Sequence, residues 1–376
     1  MVGVCLWLAF RDVSIASVQQ LLAAAGPHLL LVPLPFCLAQ VLDARACQLL
    51  FGRLESPPRF LRMFQSQVAG EASTLALPMG FLVGESLRPW LIAGGNRARL
   101  ASSIAAVTGR KTLLVIAEGV WVALALVLAP SAARQLSQQL LGGPWLIVLS
   151  VLLSAVLIGI GTVMMSAFGG GHIAGVLFQR LARLLPVRFR ARVQRAETYF
   201  TRTDAQLTRV FAAPRRLLLV PALSYLAVWV LEGLEVWLIL RVLNVQVPLT
   251  TALYVEAMVA SCRSLLPLTP AGLGVQDAGY VACFTALGLP GALGVGCAFC
   301  LAKRSRELLW CALGAACWAL SPRGSNEQGS VVRPSVARPS VVRPSEAARP
   351  SEAARPSESA EAVRPSVPVL LLDGEP

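Results

Sequence analysis

Charge is scarce in this sequence. Asp, Glu, Lys and Arg make up 14% of its 376 residues, against about 25% in soluble domains. Lysine is almost missing: Lys111 and Lys303 are the only two, so the 33 basic residues are nearly all arginine. The two histidines, His28 and His172, are isolated. No GxSxG, HExxH or Walker loop occurs, which excludes the common hydrolytic and ATP-driven machinery within this chain. Of nine cysteines only Cys297 and Cys300 form a CxxC, with no second pair, so a zinc site is not expected. Apolar residues instead reach 56%, with a mean hydropathy of +0.65. So much apolar surface cannot be hidden in a water-soluble core, and the excess must face lipid. A cytosolic enzyme is thereby excluded. So is a nucleic-acid binder, despite a formal charge of +13, because the basic residues fall between apolar runs.

Long apolar runs lie at 27–51, 112–129, 145–168, 217–240 and 278–302, the last broken by Gly288, Pro290 and Gly291, and residues 307–320 close the apolar body. A hydrocarbon core needs about 20 residues of helix, and runs this long are helices rather than strands. The opening MVGVCLWLAF is too short to span and lacks a basic n-region or cleavage site. It reads as the remainder of a helix whose start lies upstream, or as a short interfacial segment. Two further segments, 75–93 and 252–273, are apolar but carry Pro and Gly in the middle. Broken backbone in lipid is tolerated only where it is buried in protein or lines a wet cavity, so both are expected to be re-entrant or discontinuous. The expected fold is all-α and polytopic, with about six to eight helices counting both broken segments.

The segment 169–216 carries ten Arg against Glu197 and Asp204, a net +8, whereas 130–144 has the single Arg134. Positive-inside places the first in the cytoplasm and the second outside. The basic segment could lie on anionic lipid or serve as a solvated connector. From Ser321 the chain changes: Arg-Pro-Ser recurs six times and seven Arg balance seven acids. Repeated Pro with few aromatics predicts a disordered tail over 321–376, following a membrane domain over 1–320.

An intramembrane charge costs roughly 2.5 kcal/mol or more and should face a partner or a cavity. Four clusters qualify. In GESLRPW, Glu85 and Arg88 are three apart and share a helix face. Glu256 and Arg263 are seven apart, two turns along one face. LPLTPAGLGVQDAG ends in Gln276 and Asp277. In AKRSREL, Lys303 and Arg304 lie four and three residues before Glu307. Glu232 and Glu235 sit inside the 217–240 run. For any one of these the alternative is a wet helix end at the interface. The breaks resemble each other: Leu77-Pro78 precedes Gly80, Gly84 and Glu85, and Leu266-Pro267 precedes Gly272, Gly274 and Asp277. Paired Pro/Gly-interrupted segments are the sequence pointer to a transporter built from repeats. Arg97, Arg99, Arg110 and Lys111 place the flank of the first break inside, while the second follows a span that exits outside. Opposite entry sides predict an inverted repeat.

LPLTPAGLGVQDAGYVACFTALGLP, followed by AKRSRELLWCALGAACW, resembles the C-terminal signature of the lysylphosphatidylglycerol synthase transmembrane, or flippase-like, family, and is most similar to its hopanoid-biosynthesis-associated branch. GESLRPWLI resembles the family's earlier motif, and Glu235 and Glu256 fit as well. The resemblance spans roughly residues 27–320. It departs from the pattern in a truncated first helix, in Thr108 where an acid is usual, in Asp277 where Glu is commoner, and in lacking the soluble aminoacyl-transferase domain. It implies lipid translocation or export rather than lipid aminoacylation, in a bacterial inner membrane and without a cofactor. The implied partners are a hopanoid or anionic phospholipid and lipid-biosynthesis enzymes. The candidate cavity residues are Glu85, Arg88, Glu235, Glu256, Arg263, Gln276, Asp277, Arg304 and Glu307. The helix-break residues are Pro78, Gly84, Pro267, Gly272 and Gly274. In this scheme Arg88, Arg263 and Arg304 hold the headgroup, while Glu85, Glu256 and Asp277 orient them or exchange protons. A membrane scaffold for lipid-synthesis enzymes is the alternative.

Overall fold

The computed structural model describes residues 15–77, 79–170, 201–212, 214–265, 272 and 274–320. The chain divides into two compact units, Met1–Ser325 and Asn326–Pro376, and every described residue belongs to the first. The opening decapeptide, most of the Arg-rich segment, Pro78, Pro267 and the Arg-Pro-Ser tail lie outside the described residues.

The all-α expectation holds. Among the described residues eleven α-helices with defined bounds follow one another: α1 Ile15–Ala25, α2 Pro33–Phe51, α3 Phe60–Ala76, α4 Gly80–Ala93, α5 Arg97–Leu128, α6 Pro130–Leu141, α7 Trp145–Gly169, α8 Arg215–Val242, α9 Leu249–Leu265, α10 Val275–Ala286 and α11 Ala292–Leu320. A 3-10 turn, Gly26–Leu31, links α1 to α2, and residues 201–212 are also helical. Among the described residues four segments are long and apolar enough to cross a membrane: Val18–Phe51, Ala98–Leu128, Trp145–Gly169 and Arg216–Val242. These match four of the apolar runs. The helices outnumber the runs because each broken segment supplies two arms and α6 is amphipathic, with Ala132, Ala133 and Leu136 inward and its glutamines outward.

The run at 278–302 is not one span. Gly288 and Gly291 take positive φ on either side of Pro290 and end α10. A new helix, α11, then continues through the charged AKRSREL stretch, whose charges are all paired within the protein. The first break also begins earlier than its apolar signal. Its leading arm, α3, carries Arg62, Gln65, Gln67 and Glu71, which hide it from a hydropathy scan.

Both breaks are antiparallel hairpins. In the first, the chain turns at Met79 in the left-handed region (φ 52). Glycine lets its two arms touch: a Cβ on Gly84 would lie 2.5 Å from the Gly70 carbonyl oxygen, and one on Gly80 would lie 2.3 Å from that of Ser73. Further along, Gly70 faces Arg88 and Gly94 faces Arg62, so the arms stay paired as they run apart from the turn. Gly84 therefore lies within α4 at this contact and not at the break itself. In the second hairpin the glycines do form the break, since Gly272 and Gly274 take φ of 64 and 82. Its arms pair antiparallel through Arg263–Gln276, Val259–Gly279 and Glu256–Tyr280.

The order long helix, hairpin, long helix occurs twice, as α2–α3–α4–α5 and as α8–α9–α10–α11. A hairpin returns to the side from which it entered. Among the described residues three helices long and apolar enough to span, α5, α7 and α8, lie between the two, and an odd number of crossings sets the hairpins open to opposite sides. The element packing has matching symmetry: α2 packs against α8, α3 against α11, and α5 against α9.

Small residues set the closest crossings, as expected where lipid supplies no hydrophobic drive between helices. Ser154 Oγ donates to the Gly119 carbonyl at 2.8 Å where α7 meets α5. Gly314 of α11 sits directly on Ala72 and the Val68 carbonyl of α3. The outer face of α7 exposes Val148, Leu149, Val151, Leu152, Val156, Ile160 and Val163, as a lipid-facing helix should. Pro221 inside α8 cannot donate to the Leu217 carbonyl four residues back; Arg53 donates to it instead.

Candidate functional site

Each hairpin, with the long helices on either side, encloses a network of charged side chains. The first joins α2, α3, α4 and α5. Arg110 holds Asp43 bidentately, Nε to Oδ1 and Nη2 to Oδ2, both at 2.6 Å. Its Nη1 reaches Glu85 at 3.2 Å. Glu85 in turn binds Arg88 at 2.8 Å, and Arg88 binds Glu71 at 2.9 Å. Gln67 donates to both Asp43 and Gln40, at 2.8 and 3.0 Å. The α5 helix that presents Arg110 begins at an Asn96 cap, whose side chain accepts from the Ala98 amide at 2.9 Å.

The Glu85–Arg88 pairing expected from spacing is present. Two other expectations are corrected. Arg88 is not available to a headgroup: its side chain is 3% exposed and clamped between Glu71 and Glu85, whose side chains are 22% and 26% exposed. Arg110 is not a flanking interfacial charge but a buried partner of Asp43. Asp43, Glu71 and Gln67 are absent from the sequence-derived site. The one available signal was the cost of leaving Asp43 unpaired within an apolar run.

The second network joins α8, α9, α10 and α11. At its centre Glu235 and Glu256 are both 0% exposed. Lys303 lies between them, 3.4 Å from Glu235 and 3.2 Å from Glu256, and donates to Tyr280 Oη at 2.7 Å. Tyr280 in turn donates to Glu256 Oε2. Arg306 Nε is 2.9 Å from Glu235, and its guanidinium stacks over the Phe36 ring of α2 at 3.9 Å. Towards the open end, Arg304 holds Asp277 through Nε at 3.2 Å and Nη2 at 2.8 Å, and also pairs with Glu307. Asp277 additionally accepts the Gly274 amide at 3.0 Å, capping α10 as it leaves the glycine turn. Gln276 bridges the two halves: its oxygen accepts from Arg263 at 3.2 Å and its nitrogen donates to Glu307 at 3.4 Å. Arg263 also binds Glu232 at 3.3 Å.

Glu235, Glu256, Arg263, Gln276, Asp277, Arg304 and Glu307 thus share one network, while Glu85 and Arg88 belong to the other. Helical spacing misleads twice here. Glu256 and Arg263 share a face of α9 but form their ion pairs with different helices, and Lys303 turns from Glu307 to Glu235 and Glu256. Tyr280 and Arg306 escaped the sequence reading: a tyrosine carries no charge signal, and Arg306 lies on a different face of α11 from Arg304.

The open ends of the two networks differ in sign. The first presents the carboxylates Glu71 and Glu85, with its guanidiniums behind them. The second presents guanidiniums, with Arg263 32% and Arg304 18% exposed, while Asp277 and Glu307 lie deeper. Partly exposed guanidiniums braced by buried carboxylates form a rigid fork suited to phosphate or carboxylate oxygens.

Four described helices long and apolar enough to span, with buried charge paired around two hairpins, define a polytopic membrane protein. The chain belongs to the lysylphosphatidylglycerol synthase transmembrane family: residues 1–304 match the family described as "Lysylphosphatidylglycerol synthase TM region". No curated protein and no solved structure matches the chain significantly.

Proposed function

We propose that this protein binds a polar-headed lipid at the second hairpin and moves it across or out of a bacterial inner membrane, without catalysing a reaction. The observation that carries this reading is the pair of partly open guanidiniums, Arg263 and Arg304, each braced by carboxylates and linked through Gln276 and Glu307. An anionic headgroup placed against them gains charge-assisted hydrogen bonds in a low-dielectric setting. The first amides of α10, beyond Gly274, add positive partial charge. The inverted repeat supplies the alternation, because one hairpin can open while the other closes. A phospholipid phosphate and the polar group of a hopanoid are the candidate cargoes. The scaffold alternative is favoured only by the net +8 of the 169–216 segment.

The test is purified full-length protein in vesicles, with movement of a fluorescent phosphatidylglycerol followed by dithionite quenching. Arg304→Gln and Asp277→Asn are each expected to stop the movement at matched membrane abundance. Neutralising Arg188 or Arg192 in the basic segment is expected to change it little. Wild-type rates in both hairpin variants would leave the scaffold reading ahead.

A further inference from the structure

The two networks also differ in where their surplus charge sits. In the first, three carboxylates (Asp43, Glu71, Glu85) face two guanidiniums (Arg88, Arg110), and the excess falls on acids that reach solvent. In the second, the half-open Glu232–Arg263 pair balances itself. The remainder sets four buried carboxylates, Glu235, Glu256, Asp277 and Glu307, against three cations, Lys303, Arg304 and Arg306. An uncompensated negative charge in that position is costly, and such a site takes up a proton instead.

Three buried carboxylate oxygens of this network lack a hydrogen-bond partner among the described residues, both of Glu235 and Oε1 of Glu256, but those of Glu235 lie in ion-pair contact with Arg306 and Lys303, at 2.9 and 3.4 Å, which leaves Glu256 Oε1 to receive it. Glu256 Oε1 is buried and has no hydrogen-bond partner among the described residues, while Oε2 takes both Tyr280 and Lys303. The groups facing Glu256 come from every neighbouring helix. They are Glu232 and Glu235 of α8, Arg263 of α9 itself, Tyr280 of α10, and Lys303 with Arg306 beyond it on α11. Glu118 of α5 acts on Arg263, the α6 residue Arg134 is exposed, and α7 brings only the hydroxyl of Ser150 to α9. Lys303 is the cation nearest Glu256, and it is shared with Glu235.

We propose that the second network holds one exchangeable proton, seated on Glu256, and that lipid movement is linked to its uptake and release. The proton comes from water, forms the O–H bond at Oε1 and returns to water when the hairpin opens. The linkage rests on the lipid reading above; the proton site does not. An anionic headgroup at Arg263 and Arg304 brings further negative charge to a network already one short of a cation. Headgroup capture and proton uptake therefore favour each other, and by reciprocity each ligand tightens the other.

The site is tested by infrared spectroscopy of the full-length protein in detergent at neutral pH. Wild type should show the deuterium-sensitive C=O stretch of a protonated carboxyl. Glu256→Gln should lose that band, and Glu71→Gln, which alters an open acid of the first network, should keep it. Absence of the band in wild type, or its survival in Glu256→Gln, overturns the proposal. Gln closely mimics a protonated Glu in shape and still accepts from Tyr280. Should it nevertheless fail to accumulate, Tyr280→Phe decides: removing the hydrogen bond to Oε2 must shift the band, and an unmoved band overturns the assignment.

The linkage is tested in vesicles of phosphatidylethanolamine and phosphatidylglycerol with an imposed pH gradient. Wild type should move labelled phosphatidylglycerol several-fold faster in one gradient direction, and Glu256→Gln should lose that response. Gradient-independent movement in wild type overturns the linkage. No movement at all in wild type overturns the lipid reading, while the infrared result stands by itself.

Discussion

Replacing Arg110 by Gln should be among the most damaging single changes in the protein. Arg110 is 4% exposed, and its guanidinium is the only one among the described residues that contacts Asp43, which also lies within the bundle. Removal leaves the Asp43 carboxylate with one donor, Gln67 Nε2 at 2.8 Å, and no cation. Breaking a buried pair from one side costs about 3–5 kcal/mol, a loss of roughly two to three and a half orders of magnitude in the folding equilibrium at about 1.4 kcal/mol per tenfold. Asp43→Asn should cost less, because Arg110 keeps Glu85 at 3.2 Å. The double variant Asp43→Asn/Arg110→Gln places two amides opposite each other and removes the orphaned charge. Its cost should fall short of the summed single costs by about 2–3 kcal/mol. Reversible unfolding in mixed detergent micelles titrated with SDS measures all three. Additive costs, or an Arg110→Gln cost below about 1 kcal/mol, would show that the pair does not tie α2 to α5 and would refute the partnership inferred from the geometry.

Three further outcomes test other parts of the structure. At the α3–α11 crossing, a Cβ on Gly314 would lie 2.2 Å from the Ala72 Cβ. Gly314→Val should therefore destabilise by about 1–3 kcal/mol, whereas Gly159→Ala, with nothing within 4 Å, should be neutral in the same unfolding assay. For topology, the outer side of α6 should be labelled from outside by an impermeant maleimide at Gln138→Cys, while Ser56→Cys, in the α2–α3 turn on the opposite side, should be spared. Ser137 is unsuited to this test because it is buried, and its hydroxyl bonds the Gly143 carbonyl and the Leu146 amide. A reversed labelling pattern would invert the orientation of the bundle. In the second network, Arg306→Met should reduce stability more than Arg304→Gln, because Arg306 touches both Glu235 and Phe36 within the core while Arg304 lies at the open end; equal losses would contradict that division between scaffold and site.

Much of this architecture follows from local properties of the chain. The spans 145–168 and 217–240 recur as α7 and α8 within two residues at each end, because a continuous apolar run of that length has no other stable form in lipid. The second break was visible because glycine at 272 and 274 permits the left-handed turn that leads into α10. The Glu85–Arg88 and Arg304–Glu307 pairs were legible because helical periodicity alone brings residues three apart together. The polar arm α3 was not legible as membrane-embedded, since its Gln67 and Glu71 are acceptable there only once Asp43 and Arg88 are in place to meet them. The assignment of partners likewise required the tertiary structure. Arg110 and Asp43 are separated by 67 residues, and Lys303 and Glu256 by 47. A sequence shows that each such charge needs a partner, because an unpaired ion in the membrane is costly. Which carboxylate meets which cation, and which guanidiniums stay partly exposed, depends on how the two hairpins pack between their long helices.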